Sequence, residues 1–416
     1  MNDYQSTSKS IAKSEGKYSQ LQTSSIPSSA RLFFAMLGNL KVGHLQIITP
    51  DHEYLLFGDS HHAPSATLQI HDWRACNRIL RAGDIGFAES YEAGWIDTPD
   101  LVALLRLAIR NENALDRALF GGKIMTLWYK LKHWLRPNTR NGSRRNIHAH
   151  YDIGNAFYQL WLDQSWTYSS AIFFGEKNIT LQQAQFRKYQ RIVDVLGLRS
   201  GDSVLEIGCG WGGFAEHAAL LGIQVHGVTI SPSQLEVAQR RITDKNLNHL
   251  VKLELCDYRD MRGSYDAVVS IEMFEAVGEQ YWAGYFETVH QRLKAGGRAL
   301  IQTITIDESR FERYRSGTDF IQQYIFPGGM LPSPVRFCAQ AEAQGLQVKE
   351  QYAFGKDYAE TLRRWNLGFE QERDAITQQG FGPAFQRIWQ LYFAYCEAGF
   401  DEERTDVVQF TLQKNV

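Results

Sequence analysis

Residues 204–213 read VLEIGCGWGG, an apolar run that carries an acid, Glu206, and opens into alternating glycines. Such a run broken by glycine predicts a strand that turns directly into a helix. Gly208, Gly210 and Gly212 stand at G-x-G-x-G spacing. Glycines there let the backbone approach a bulky ligand at the carboxyl end of a sheet. The motif alone does not choose the ligand, because dinucleotide-binding folds use a close relative, G-x-G-x-x-G.

Two features outward from this turn favour S-adenosylmethionine over NAD. Glu206 precedes the glycines from inside the strand, placed to accept from the amino end of a methionine moiety, and nothing in that ligand requires a pyrophosphate cradle. An NAD site also wants Asp or Glu at the end of the second strand, to hold the ribose. This chain has Thr229 there, then Ser231 and Gln234. At the end of the third strand Asp257 can hydrogen-bond an adenine amine, with Tyr258 against its face. Each residue also has an ordinary reading: a turn glycine, Ser231 as an N-cap before Pro232, a strand-end Asp. Together and in this order they favour the methyl-donor pocket.

Around the turn, short apolar runs (VLEIG, QVHGVTIS, LVKLELCD, YDAVVS, RALIQTITI) alternate with helix-length polar segments. That βαβ series predicts an α/β fold with a mostly parallel, doubly wound sheet. GLQVKEQYAF and TDVVQFTLQ predict two further strands. The expected domains are a disordered tail (1–29), a small α+β domain (30–120), a basic amphipathic linker helix (121–147) and the α/β domain (148–416). Within the second of these, Arg81-Ala82-Gly83 reads as a helix end, and Thr98-Pro99-Asp100 as the cap region of the next helix. In the linker, Ile124, Leu127, Trp128, Leu131, Trp134 and Leu135 share one helical face, and seven Lys and Arg between 123 and 145 are relieved by no acid. Such a helix suits an anionic membrane interface, or packs on a neighbouring domain with its charges solvated.

Bulk properties narrow the setting. The chain has 416 residues, with 44 Lys and Arg against 46 Asp and Glu, so its global charge selects no partner. Five scattered cysteines without a C-x-x-C pair suit a reducing cytosol and argue against disulfides or structural zinc. His148 and His150 do not share a helical face, so no metal site is expected. No secretory h-region or membrane-spanning run is visible. The expectation is a cytoplasmic protein with no nucleic-acid partner.

The stretches HYDIGNAFYQLWLD, TYSSAIF, EIGCGWGGFAEHA, VTISPSQ, CDYRD, MFEAVG and IFPGGMLPS resemble the cyclopropane-fatty-acyl-phospholipid synthase family. The mycolic acid cyclopropane synthases belong to the same group. The match spans about residues 148–416, and residues 30–120 (LKVGHLQIITPD, GDIGFAESYEAGW) resemble the family's N-terminal lipid-binding domain. The resemblance implies a class I (Rossmann-like) SAM-dependent methyltransferase that alkylates cis double bonds in unsaturated phospholipids. It implies peripheral association with the inner face of the membrane, and a homodimer. By motif match Tyr168, Ser169, the loop with Glu206, Gly208, Gly210, Trp211 and Gly212, then Thr229, Ser231 and Gln234, and Asp257 with Tyr258, line the cofactor.

Alkylating an alkene leaves a carbocation, which aromatic faces stabilise; Tyr168, Phe173, Phe174, Trp282 and Phe326 are candidates, alongside ordinary core packing. A base must then remove a proton. Loss from the new methyl closes a cyclopropane, and loss from a neighbouring carbon leaves a methyl-branched alkene. The resemblance implies bicarbonate as that base, cradled by Cys, Glu, His, Tyr and a backbone group. Here the Glu is Glu275 and the backbone group Ile304, while Ser170, Gln302 and Asn366 replace the Cys, His and Tyr. So either bicarbonate is held differently, or deprotonation happens elsewhere and branching replaces the ring. Cys396 matches a cysteine sometimes assigned as a nucleophile, though no covalent step is needed and a lone Cys in an aromatic helix is usually core. The stretch QYIFPGGMLPSP reads as an irregular cover over the acyl channel, or a plain turn-rich loop. Two other readings stay open: a methyltransferase of a soluble small molecule, and an inactive lipid-binding protein that kept the pocket.

Overall fold

Alternating burial along His44–Ile48, with Leu45 and Ile47 inside, builds the first sheet. The computed structural model describes residues 26–119, 153–176 and 178–415. The expected tail up to residue 25, the linker helix, His148 and His150 lie outside the described residues. The chain forms two compact units, taken here in turn.

In the first unit, β1 (His44–Ile48), β2 (Tyr54–Gly58), β3 (Ser65–Ile70) and β4 (Ile96–Asp97) form a sheet in the order β2-β1-β3-β4. Four helices accompany it: α1 (Ser28–Leu37), α2 (Arg74–Glu92), α3 (Leu101–Arg110) and α4 (Glu112–Leu119). The first helix thus begins at Ser28, inside the expected tail, because Ile26, Ala30, Phe33 and Phe34 are buried. Asp100 caps α3 as expected, accepting from the Ala103 N–H at 2.9 Å. The helix end at Arg81-Ala82-Gly83 is only a break. Gly83 takes φ 58° and ψ −128°, which a residue without Cβ does freely, and the chain resumes a helix that buries Ile85, Ala88 and Tyr91. Buried Asn111 ties the unit together: its Oδ1 accepts from the Lys41 and Val42 amides, and its Nδ2 donates to the Val42 and Leu107 carbonyls.

The second unit opens with α5 (Asn155–Trp161) and α6 (Leu181–Leu196), then alternates β5 (Ser203–Ile207), α7 (Gly213–Leu220), β6 (Gln224–Thr229), α8 (Pro232–Asp244), β7 (Val251–Leu255), β8 (Tyr265–Ile271), α9 (Trp282–Arg292) and β9 (Leu293–Ile306). It continues through α10 (Glu308–Ser316), α11 (Pro334–Ala343), β10 (Leu346–Ala353), α12 (Gly355–Gln371), α13 (Arg373–Gln378), α14 (Pro383–Asp401) and β11 (Thr405–Lys414). The strands lie in the order β10-β11-β9-β8-β5-β6-β7, parallel from β9 to β7, with β11 inserted antiparallel between β9 and β10. This is the sheet of a class I methyltransferase.

Apolar clusters cover both faces. Phe274, Tyr285, Phe286, Phe337 and Phe410 fill one, and Ile192, Val193, Phe214, Ile223 and Val251 the other. The order reverses at β5, between β6 and β8, and such a switch point opens a crevice at the strands' carboxyl ends. Among the described residues no helix is long and apolar enough to cross a membrane.

Candidate functional site

The loop after β5 is built for close approach. Gly208, Gly210 and Gly212 have φ of 84°, 51° and 82°, a region that side chains other than glycine rarely adopt. A Cβ on Gly208 would fall 2.9 Å from Met273 Cγ and one on Gly212 3.1 Å from Ala238, but one on Gly210 meets nothing within 4 Å. The amides of Gly208 and Cys209 both donate to the Val228 carbonyl, at 2.9 and 3.0 Å, so they form no phosphate cradle. Trp211 pins the turn: its indole N–H donates to Asn155 Oδ1 at 2.8 Å, and Asn155 Nδ2 donates to the Ser233 carbonyl at 2.8 Å.

Glu206 is buried on β5 and its Oε2 has no hydrogen-bond partner in the chain. Burial pushes its carboxyl up to about 8. A buried acid without a donor is costly, and a ligand ammonium is a group that could satisfy it. Together with the open space at Gly210, it fits S-adenosylmethionine. At the end of β6, Thr229 Oγ1 accepts from the Ser231 amide at 3.2 Å, and Ser231 caps α8 by accepting from the Gln234 amide at 3.4 Å. Asp257 is differently engaged. Arg259 Nε and Nη2 donate to its two oxygens at 2.8 and 2.6 Å, so any adenine contact would share them. Tyr258 packs edge-on against Tyr285.

The loop before α6 brings up the other wall. Thr180 and Gln183 form a capping box that starts α6, and one face of that helix then grips Ser169. Gln185 Nε2 donates to the Ser169 carbonyl at 2.9 Å and Lys188 Nζ to its Oγ at 2.7 Å. Lys188 is fully buried, and burial pulls its ammonium down to about 7 against the pull of Glu272 and Asp163. Tyr168 donates to Tyr392 Oη at 2.9 Å and lies among Tyr158, Trp161, Phe326 and Trp365.

Next to this wall, at the carboxyl end of β8, sits a pair of part-buried glutamates. Glu275 Oε1 accepts from the Ile304 amide at 2.6 Å, while its Oε2 has no partner. Burial first, then the charge of Glu272, pushes Glu275 up to about 8. Glu272 holds φ 50°, a strained value for a residue with Cβ. Its Oε1 accepts from the Ser170 amide at 2.8 Å and from Gln302 Nε2 at 2.7 Å, and its Oε2 from Tyr358 Oη at 2.6 Å. Burial raises its carboxyl; Lys188 and these donors oppose the rise. Gln302 is itself oriented by Gln409, which donates to its Oε1 at 3.0 Å and accepts from Arg191 at 2.5 Å.

Ser170, Gln302 and Glu275 are therefore brought together, but around Glu272 rather than around open space. Ser170 Oγ donates to the Ala171 carbonyl at 3.0 Å, and the Gln302 amide is spent on Glu272. These residues do not fit a bicarbonate held as the resemblance implies. Asn366 lies on α12 with its Oδ1 buried and unpartnered. Cys396 is held far from thiolate by burial, so its surroundings give no activated nucleophile.

Of the aromatic candidates, Tyr168 and Phe326 belong to the cluster beside Ser169. Trp282 stacks on Phe274 in the core, Phe173 packs with Ala171 and Ala184, and Phe174 is 52% exposed. Of the stretch 323–334 only 326–333 is irregular, since 323–325 belong to a π-helical turn and Pro334 starts α11; it is tied to Glu275, with the Met330 amide donating to the Glu275 carbonyl at 2.8 Å. Among the described residues no cluster of His, Cys, Asp and Glu is placed to hold a metal ion.

Sequence reasoning missed Glu272, Lys188 and Tyr358. Two of them left a signal. Lys188 stands on the stripe Ala184, Lys188, Ile192 that α6 buries, where a lysine is out of place. Glu272 directly follows the apolar run of β8, three residues before the glutamate that was singled out.

Residues 138–410 match the mycolic acid cyclopropane synthetase family model. A tuberculostearic acid methyltransferase of Mycobacterium tuberculosis, UfaA1, is 39% identical over 368 residues, 84% of this chain and 83% of its own length. The cyclopropane-fatty-acyl-phospholipid synthase of Escherichia coli is 31% identical over 82% of this chain and 85% of its own. The crystal structure of a mycolic acid cyclopropane synthase, CmaA1, complexed with SAH and CTAB superposes with a TM-score of 0.61 at 31% identity, covering 65% of this chain and 98% of that one.

Proposed function

The chain belongs to the mycolic acid cyclopropane synthetase family of SAM-dependent methyltransferases, and from that premise we propose that it methylates a cis double bond in the acyl chains of unsaturated phospholipids and leaves a methyl branch. S-adenosylmethionine supplies the electrophilic methyl carbon. Glu206 holds its amino end, the turn at Gly210 gives it room, and Thr229, Ser231, Gln234, Asp257 and Tyr258 border the rest. The aromatic group around Tyr168 excludes water and faces the cation that forms on the chain.

The observation that carries the branching reading is that the Ser170 amide and Gln302 are spent on Glu272 and the Ser170 hydroxyl on the Ala171 carbonyl, which removes the donors an open anion cradle needs. The higher identity to a fatty-acid methyltransferase (39%) than to a cyclopropane synthase (31%) supports the same choice. Docking on a phospholipid surface, as a homodimer, completes the reading. Exposed Leu32, Tyr54 and Leu56 on the first unit support it.

The test is incubation with methyl-labelled S-adenosylmethionine and vesicles of unsaturated phospholipid, followed by NMR of the extracted lipid. Label in the acyl chains without cyclopropane methylene resonances is expected. Cyclopropane signals would overturn the branch; absence of label from every unsaturated phospholipid would overturn the substrate.

A further inference from the structure

Glu272 has no counterpart among the residues that sequence reasoning assigned to chemistry, yet three elements converge on it. The Ser170 amide comes from the loop before α6, Gln302 from β9 and Tyr358 from α12. The residue is part-buried, sits on a backbone held at φ 50°, and lies within the electrostatic reach of Lys188 and Glu275. A backbone strained in this way requires surroundings that over-determine it, and such strain concentrates at working sites. Three donors leave room for a further bond, since an ionised carboxylate offers about four lone-pair sites.

Two of these donors, Ser170 and Gln302, stand where the family resemblance puts the ligands of a catalytic anion. The anion's place is thus taken by a side chain of the protein. On the basis of the methylation reading above, we propose that Glu272 is the general base of the reaction, a carboxylate built into the chain in place of a bound bicarbonate.

The step balances without an added reagent. The alkene's π pair forms the bond to the incoming methyl carbon and leaves a cation on the adjacent chain carbon. A C–H bond next to that cation then breaks, its electron pair becomes the new double bond, and its proton ends on a Glu272 oxygen. The proton passes to solvent when the product leaves. Tyr358 and Gln302 hold the carboxylate in place, and these donors with the ammonium form of Lys188 oppose the rise that burial imposes on it, so these are positioning residues. Glu275 remains protonated beside it, because two adjacent buried carboxylates do not both ionise.

Three measurements on the full-length protein test this, using labelled S-adenosylmethionine and unsaturated phospholipid vesicles. Wild-type turnover is expected to be the same in carbon-dioxide-depleted buffer and in millimolar bicarbonate. Glu272→Gln is expected to lose on the order of 100-fold or more in kcat, the usual contribution of a general base, while its affinity for SAH by calorimetry changes less than about threefold. Glu272→Gly, which suits the left-handed backbone and vacates the carboxylate's volume, is expected to regain turnover on addition of bicarbonate or formate. A wild-type rate that rises saturably with bicarbonate overturns the assignment, as does a Glu272→Gln enzyme that keeps a tenth or more of its kcat. Should the variants fail to fold, the wild-type bicarbonate series decides alone. Absence of any methyl transfer by the wild type is a different failure, since it removes the proposed function and the base with it.

Discussion

At neutral pH the Glu206 carboxyl of the free protein carries a proton, because burial lifts it to about 8 and no donor compensates. An incoming ammonium reverses that balance: it favours the carboxylate, so binding expels the proton. Affinity for SAH should therefore rise with pH between 6 and 7.5, by up to about tenfold per unit, while the ligand amine is still charged. Above about 8 the rise stops, since Glu206 is by then ionised before binding. Cys209 and Tyr189, the titratable neighbours, stay protonated throughout because burial pushes both upward. Calorimetry in buffers of different ionisation enthalpy reads the released proton directly. Glu206→Gln should bind SAH roughly 10- to 100-fold more weakly, the worth of a charged hydrogen bond, and should flatten the pH dependence. An unchanged slope in that variant would assign the proton elsewhere.

The same residue scale marks where sequence reading stopped. Glu206 was legible because glycines follow it and give it a neighbourhood. Glu272 was not, because its partners Ser170, Gln302 and Tyr358 lie 102, 30 and 86 residues away and meet it only in the fold.

Among the elements, the β5–α7 turn is the one whose sequence decided most. Its glycines differ in what they exclude. Gly212→Ala sets a Cβ 3.1 Å from Ala238 at φ 82°, so it should cost stability. Gly210→Ala adds a Cβ that meets no protein atom. The backbone there still resists a side chain, by about 1–2 kcal/mol, so the melting temperature should fall by only a few degrees. SAH affinity should fall at least tenfold, because the new methyl enters the space read as the ligand's. Differential scanning fluorimetry with calorimetry separates the two effects; wild-type affinity in Gly210→Ala would mean the turn does not border the ligand.

The strand–helix alternation from β5 to β9 was readable because the central strands β5 and β8 are buried on both faces and show as continuous apolar runs, while the edge strand β7 keeps only alternate apolar positions. The passage through Gly83 was less so. A glycine that ends one helix and one that kinks it look alike in sequence, and only the buried Ile85 and Tyr91 beyond it decide. The irregular stretch 326–333 was recognised by its Pro and Gly, but its tie to Glu275 depends on a backbone contact that leaves no mark on composition.

For the molecule as a whole, balanced charge hides a strong local asymmetry. Lys123, Lys130, Lys132, Arg136, Arg140, Arg144 and Arg145 fall in one stretch without an acid, although the chain's net charge is −2. If, as proposed above, the substrate is drawn from a bilayer, the enzyme gains by residing on it, and each cation near an anionic surface contributes about 1 kcal/mol. Replacing Lys130, Lys132 and Arg136 with Glu should therefore weaken association with anionic vesicles by 100-fold or more, leave SAH affinity unchanged, and leave turnover of detergent-dispersed lipid near the wild-type value. Wild-type association should fall steeply as salt is raised, since surface charges are screened within about 10 Å at 0.1 M. Vesicle flotation across a salt series reads both. If association survives the charge reversal and ignores salt, the basic stretch is packed on protein instead, and the exposed Leu32, Tyr54 and Leu56 of the first unit become the surface to change next. The two outcomes differ in physics as well as in location, because burial of those side chains is apolar and gains strength, rather than loses it, as an excluded salt such as sulfate is added.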